Sequence, residues 1–187
     1  MKSNVNKMVK LAMLAALSIV LMLLIRFPVI PSAPFLEYEP GDVPALIGAF
    51  IYGPWSGFII TLIVSIFQAT TVSAGSGWIG ALMHLVATGT MVIAAGLIYN
   101  KFRTYKGAIL ALSVGSLCMT LIMIPLNLYI TPKFLGVPYD AVKAMILPAI
   151  LPFNLIKSVA NSVITVVVYK AVGKVLRVEA QIPVKEG

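Results

Sequence analysis

The stretch AILPFNLIKSVANSVITVVVY, residues 149–169, carries one charged residue in 21. At ~1.5 Å of helical rise per residue it is long enough to cross the ~30 Å hydrocarbon core of a bilayer. Its polar residues are not scattered. Asn154, Lys157, Ser158, Asn161 and Thr165 recur every three or four positions, so on a helix they form one stripe among apolar neighbours. A charge at the centre of a span costs roughly 2.5–3.5 kcal/mol on insertion scales, and such residues face a cavity or a partner. With the helix starting at Pro152, a favourable first-turn residue, Lys157 lies on the order of 8 Å in from that end. Two readings follow. Helical side chains lean toward the N-terminus, so Lys157 can snorkel to the interface; alternatively it belongs to the wall of a cavity. A snorkelling lysine needs no amide one turn before and one turn after it, which favours the cavity, while the plainer role for Asn154 and Asn161 is hydrogen bonding between helices.

The rest of the chain has the same character. Its 187 residues are 60% hydrophobic and 11% charged, with a mean hydropathy of +1.01, too few charges to cover a water-soluble globule. The expected fold is an all-α integral membrane protein, a single domain over residues 1–187 with six transmembrane helices. Apolar runs fall at 8–25, 43–52, 55–71, 80–99, 107–130 and about 149–172. The second is too short to cross straight, and Gly53-Pro54 supplies the turn into the third. Lys2, Lys7 and Lys10 before the first run would suit a signal peptide, but Arg26 and FPVIPSAP follow without a cleavage site, so a retained span is expected.

The basic residues set the orientation. In a six-span arrangement ten of them (Lys2, Lys7, Lys10, Lys101, Arg103, Lys106, Lys170, Lys174, Arg177, Lys185) lie on one side and three (Arg26, Lys133, Lys143) on the other. The positive-inside rule then places both termini in the cytoplasm. The formal charge of +8 therefore reports topology in a lipid bilayer, not a nucleic-acid partner. Glu37, Glu39, Asp42 and Asp140 fall in outer loops, so no membrane-buried carboxylate is expected.

Three further features bear on function. Asn127, in LIMIPLNLYITP, lies near the outer end of the fifth run; it either satisfies a carbonyl freed by Pro125 or shares a cavity with Asn154. The first outer loop, PSAPFLEYEPGDVPALIGAF, packs four prolines and three acids beside Phe35 and Tyr38, a stiff segment suited to covering a cavity mouth. Within it, Asp42 ahead of Val43-Pro44 reads most simply as a helix N-cap. Ala12, Ala15 and Ala16 share a face of the first helix, where small residues allow close helix approach.

Catalytic signatures are missing. There is no G-x-x-x-x-G-K-[ST] run to hold a nucleotide. Ser76 in SAGSGW lacks the arrangement of a nucleophilic serine, and His84 is expected to be a packed, hydrogen-bonded histidine. Cys118 has no metal-ligand neighbours. A small membrane enzyme or protease remains the alternative class, without an identifiable catalytic centre; a channel would require polar faces on several helices.

The order of these features resembles the substrate-binding (S) components of energy-coupling factor (ECF) vitamin transporters, and within them the riboflavin-specific type. The matching pieces are LAMLAALS in the first helix, FLEYEPGDVPALIGAFIYGPWSG, GALMHLVATGTMVIAAGLIY in the fourth run, and PFNLIKSVANSVITVVVYK in the last. The resemblance implies a subunit of the cell membrane that captures riboflavin from outside and delivers it inward. It has no resident cofactor; a transmembrane coupling protein and two ATPase subunits supply the energy. It further implies that Ala12 and Ala16 dock on the coupling protein. In the outward-facing pocket Asn127, Asn154 and Lys157 would meet the polar edge of the flavin, Leu36 and Tyr38 would close over it, and Asn161 would continue the polar wall.

Overall fold

Eleven residues, DVPALIGAFIY, form the centre of the molecule. They are helix α2, Asp42–Tyr52, and every residue from Asp42 to Phe50 is buried. Pro44 lies in the first turn, where a missing N–H costs nothing. Gly53, at φ 97°, ends the helix in a conformation that side chains avoid, and Pro54 starts the next. At about 16 Å long, α2 is too short to cross a bilayer straight, as its sequence suggests.

The computed structural model describes residues 2–71 and 77–181; Ser76 and Lys185 lie outside them. Around α2 run α1 (Lys2–Leu24), α3 (Pro54–Thr70), α4 (Gly77–Lys101) and α5 (Tyr105–Leu135). A short α6 (Tyr139–Met145) and a π turn (Ile146–Ile150) lead without a break into α7 (Leu151–Gln181). A two-stranded hairpin, β1 (Phe27–Pro28) and β2 (Glu37–Tyr38), pairs Phe27 with Tyr38 and Pro28 with Glu37. Among the described residues four segments are long and apolar enough to span a membrane, Val5–Leu24, Gly77–Lys101, Tyr105–Leu135 and Tyr139–Tyr169, while α2 and α3 are shorter.

Close approach holds the centre together. A Cβ on Gly57 of α3 would sit 2.6 Å from the Ala45 carbonyl oxygen of α2 and 2.6 Å from Val92 Cγ1 of α4, so these three helices meet at a distance only glycine permits. Leu46, Ile60, Met91, Val92 and Leu112 fill the core around this contact. At the end of the bundle opposite the hairpin, Phe50 stacks on Tyr99 with centroids 4.3 Å apart and meets Tyr169 edge-on, and the two tyrosine hydroxyls share a hydrogen bond.

The outside is as informative as the inside. On α7, Leu155, Ile156, Val159, Val163 and Val167 are exposed, whereas Asn154, Ser158, Asn161 and Thr165 are at most 1% exposed. In water this arrangement would be inverted; in lipid it is the stable one, since polar groups must find partners within the protein. The polar stripe of α7 therefore lies inward, as its periodicity predicts.

Two boundaries differ from the sequence reading. Helix α5 continues through Pro125 and Pro132 to Leu135 instead of ending near Ile130. The last helical segment begins at Tyr139, not near Ala149, and its π turn lies where Pro148 and Pro152, four apart, each remove a backbone donor.

Candidate functional site

At the hairpin end a cavity of about 350 Å³ opens between α3, α4, α5, α7 and the first loop. One wall is apolar, built from Phe35, Phe134, Phe153, Met83, Met119 and Met123. The same helices and the loop also present Asn127, Asn154, Lys157, Glu39, Gln68 and His84 to the cavity. A hydrophobic slot with a few convergent polar groups is the usual form of a small-molecule site.

The amides are set by their own helices. Asn127, 1% exposed, donates one N–H to the Met123 carbonyl at 2.8 Å and accepts from the Thr131 hydroxyl at 2.9 Å. Asn154 donates one N–H to the Ile150 carbonyl at 2.7 Å. Each local bond fixes the amide plane and leaves hydrogen-bonding capacity unspent. Asn127 and Asn154 line one cavity, and the bond to Met123 shows that Asn127 does not serve the carbonyl freed by Pro125, which belongs to Leu121.

Lys157 does not snorkel. It is 6% exposed, and its Nζ lies 3.4 Å from Glu39 Oε1 and 3.6 Å from Asp42 Oδ2. The expectation that no carboxylate is buried in the bundle is overturned, because Glu39 and Asp42 are 3% and 2% exposed. The physical reason is the loop's second apolar cluster: Ala33 and Leu36 pack against Val142, Ile146, Ile150 and Phe153, folding the segment over the start of α7. Leu36 lines the cavity as part of that cover. A signal was available in sequence. A lone lysine in a span needs a counter-ion, and few acids lie next to an apolar run.

Asp42 is not the cap of α2. Gly41 occupies that position, with no side-chain cap bond. Asp42 Oδ1 instead accepts from His84 Nε2 at 2.9 Å, and Oδ2 accepts from Asn161 Nδ2 at 3.0 Å. His84 is the packed histidine expected; the Ser65 hydroxyl, 2.7 Å from its Nδ1, also lies 2.8 Å from the Thr61 carbonyl. Gln68 donates to Glu39 Oε1 at 3.4 Å, while Glu39 Oε2 is buried with no hydrogen-bond partner among the described residues.

Tyr38 and Asn161 lie outside the lining. The Tyr38 hydroxyl donates to Asn161 Oδ1 at 3.0 Å; burial, then the Asp42 carboxylate, pushes the phenol above its ordinary value, which keeps the donating proton in place. At the cavity mouth Arg26 Nε donates to Glu37 Oε2, tying the end of α1 to the hairpin. Ala12 and Ala16 are far from the cavity and exposed on α1, whereas Ala15 turns inward at 4% exposure. The three alanines therefore do not share one face.

Comparison with known proteins agrees with this architecture. The family described as "ECF transporter, substrate-specific component" matches residues 6–169. Riboflavin transporter FmnP of Bacillus subtilis (strain 168) is 32% identical over 170 residues, 86% of this chain and 88% of that one. Riboflavin transporter RibU of Staphylococcus aureus (strain TCH60) is 27% identical over 178 residues, covering 92% and 93%. The solved S component of a bacterial ECF transporter matches with a TM-score of 0.82 at 27% identity, over 92% of this chain and 98% of that chain.

Proposed function

The chain belongs to the substrate-specific components of ECF transporters, a family of transport subunits and not of enzymes, and from that membership we propose that it binds riboflavin and delivers it across the cell membrane. The observation that carries the proposal is the mixed lining of the cavity, where phenylalanines and methionines stand beside two amides and Lys157. Riboflavin has a flat tricyclic face suited to the phenylalanine and methionine wall, and a polar edge alternating carbonyl acceptors with an imide N–H. Asn127 and Asn154 offer amides that both donate and accept, and Lys157 offers a donor to a ring carbonyl. Glu39 Oε2, buried and unpartnered, accepts from a hydroxyl of the ribityl chain. Leu36 covers the site from the loop. Tyr38 and Asn161 support it from behind.

The hairpin end faces outward in this reading. Lys101, Arg103 and Lys106 lie at the opposite end of the bundle, where the positive-inside rule places the cytoplasm. Six helical segments then lie in the bilayer as one domain, with α2 and α3 too short to cross unaided. A coupling membrane protein and two ATPase subunits supply the energy, the former engaging α1 at Ala12 and Ala16, which stand exposed and small.

The deciding test is titration of the purified full-length protein, without ATP, into riboflavin while flavin emission is followed. Saturable change at or below micromolar protein is the expected result. Unaltered emission together with a flat calorimetric titration rejects the proposal.

A further inference from the structure

We propose that Asp42, which does not line the cavity, is a positioning residue whose carboxylate fixes the cavity side chain Lys157, so that ligand affinity depends on a group the ligand never touches. The inference rests on the riboflavin reading of the cavity. Helix α2 packs against both α4 and α7, and Asp42 is its first residue. Its two oxygens divide the work. Oδ1 holds His84 Nε2 of α4 at 2.9 Å; Oδ2 holds Asn161 Nδ2 at 3.0 Å and Lys157 Nζ at 3.6 Å, both of α7.

The lysine's position is what this changes. Lys157 ends a flexible four-carbon stem, and its ammonium has two carboxylates within reach, Glu39 at 3.4 Å and Asp42 at 3.6 Å. Glu39 lines the cavity, belongs to the covering loop and keeps one oxygen without a hydrogen-bond partner among the described residues. It is therefore the carboxylate that a ligand engages. Asp42 is 2% exposed, meets His84, Asn161 and Lys157, and does not line the cavity. Without its charge, Lys157 is drawn toward Glu39 alone. That contact competes with the ligand for both groups.

An ordinary structural role makes a different prediction. An acidic residue in the first turn of α2 also favours the helix dipole, and that contribution is indifferent to the residue at position 157. A double-mutant cycle on the full chain separates the two. Riboflavin dissociation constants are measured for the wild type, Asp42→Asn, Lys157→Met and the double variant, each as a monodisperse fraction in detergent. The expected result is about a tenfold loss for Asp42→Asn, as for one hydrogen-bonding contact, and less than about a twofold further loss when Lys157 is already methionine. The bound flavin's visible absorption band should also shift in Asp42→Asn, since the donor at its polar edge has moved. Equal losses in both backgrounds, or unchanged affinity and spectrum, overturn the inference. If Asp42→Asn yields no folded protein, Asp42→Glu keeps the charge and displaces the carboxylate by one methylene; weakened binding with a shifted band supports positioning, and wild-type behaviour overturns it. A wild type that leaves riboflavin unbound rejects the riboflavin reading itself, an outcome distinct from wild-type binding with an indifferent Asp42.

Discussion

Lys157 Nζ lies 3.4 Å from Glu39 Oε1, a buried contact between residues 118 apart in sequence. It joins the covering loop to the last helix at the cavity wall.

Replacing Lys157 by methionine keeps the apolar stem and removes the charge. Riboflavin affinity should fall about tenfold to a hundredfold, the equivalent of one charge-assisted hydrogen bond. Titration of the folded fraction checks this. Unchanged affinity would show that the ammonium serves only its two carboxylates.

Asn154→Leu preserves side-chain volume while removing the amide. Because the bond to the Ile150 carbonyl is local to α7, the helix should persist, and the loss should appear as about a tenfold weaker flavin affinity with little change in helical content. Circular dichroism and titration on the same sample distinguish a binding effect from a folding one.

Gly57→Ala addresses the core instead. The added methyl would meet Ala45 O and Val92 Cγ1 at 2.6 Å and Ala49 Cβ at 2.7 Å, and backbone on one side cannot yield cheaply. A loss of about 1–3 kcal/mol is expected, as for other overpacked interiors, read as a lower midpoint of thermal unfolding in detergent. Flavin affinity of the molecules that remain folded should hold.

Ala12→Trp adds bulk to the exposed face of α1, away from the cavity. Flavin binding by the isolated subunit should be retained, and uptake by cells carrying the complete transporter should drop to background. Normal uptake would remove α1 from the coupling interface.

The sequence makes the helices legible and the ion cluster illegible for one reason, which is range. Apolar runs and a stripe spaced by three or four residues are local patterns, and α7 displays them with its polar side turned inward. The partner of Asp42 is not local. Asp42-Val43-Pro44, the start of α2, fits the grammar of a helix cap, but the Asp42 oxygens go to His84, 42 positions away, and to Asn161, 119 positions away. The same limit explains Glu39. Four prolines around it suggest a loop outside the helices, but Leu36 and Ala33 anchor that loop on the residues leading into α7 and bury the carboxylate. Asn127 and Asn154 were recognisable as site candidates because an amide in an apolar helix is conspicuous wherever its partners lie. The methionine and phenylalanine wall carried no such mark, since these residues are common in any apolar span.

The long separation of Glu39 from Lys157 also bears on how the chain is made. Synthesis proceeds from the N-terminus at ~5–20 residues per second, so Glu39 waits roughly 6–24 s for the 118 residues that separate it from its partner. During that interval its carboxylate and that of Asp42 lack Lys157. The ion cluster cannot close before α7 is made, and a ribosome-released fragment ending before α7 would carry the loop but not the lock.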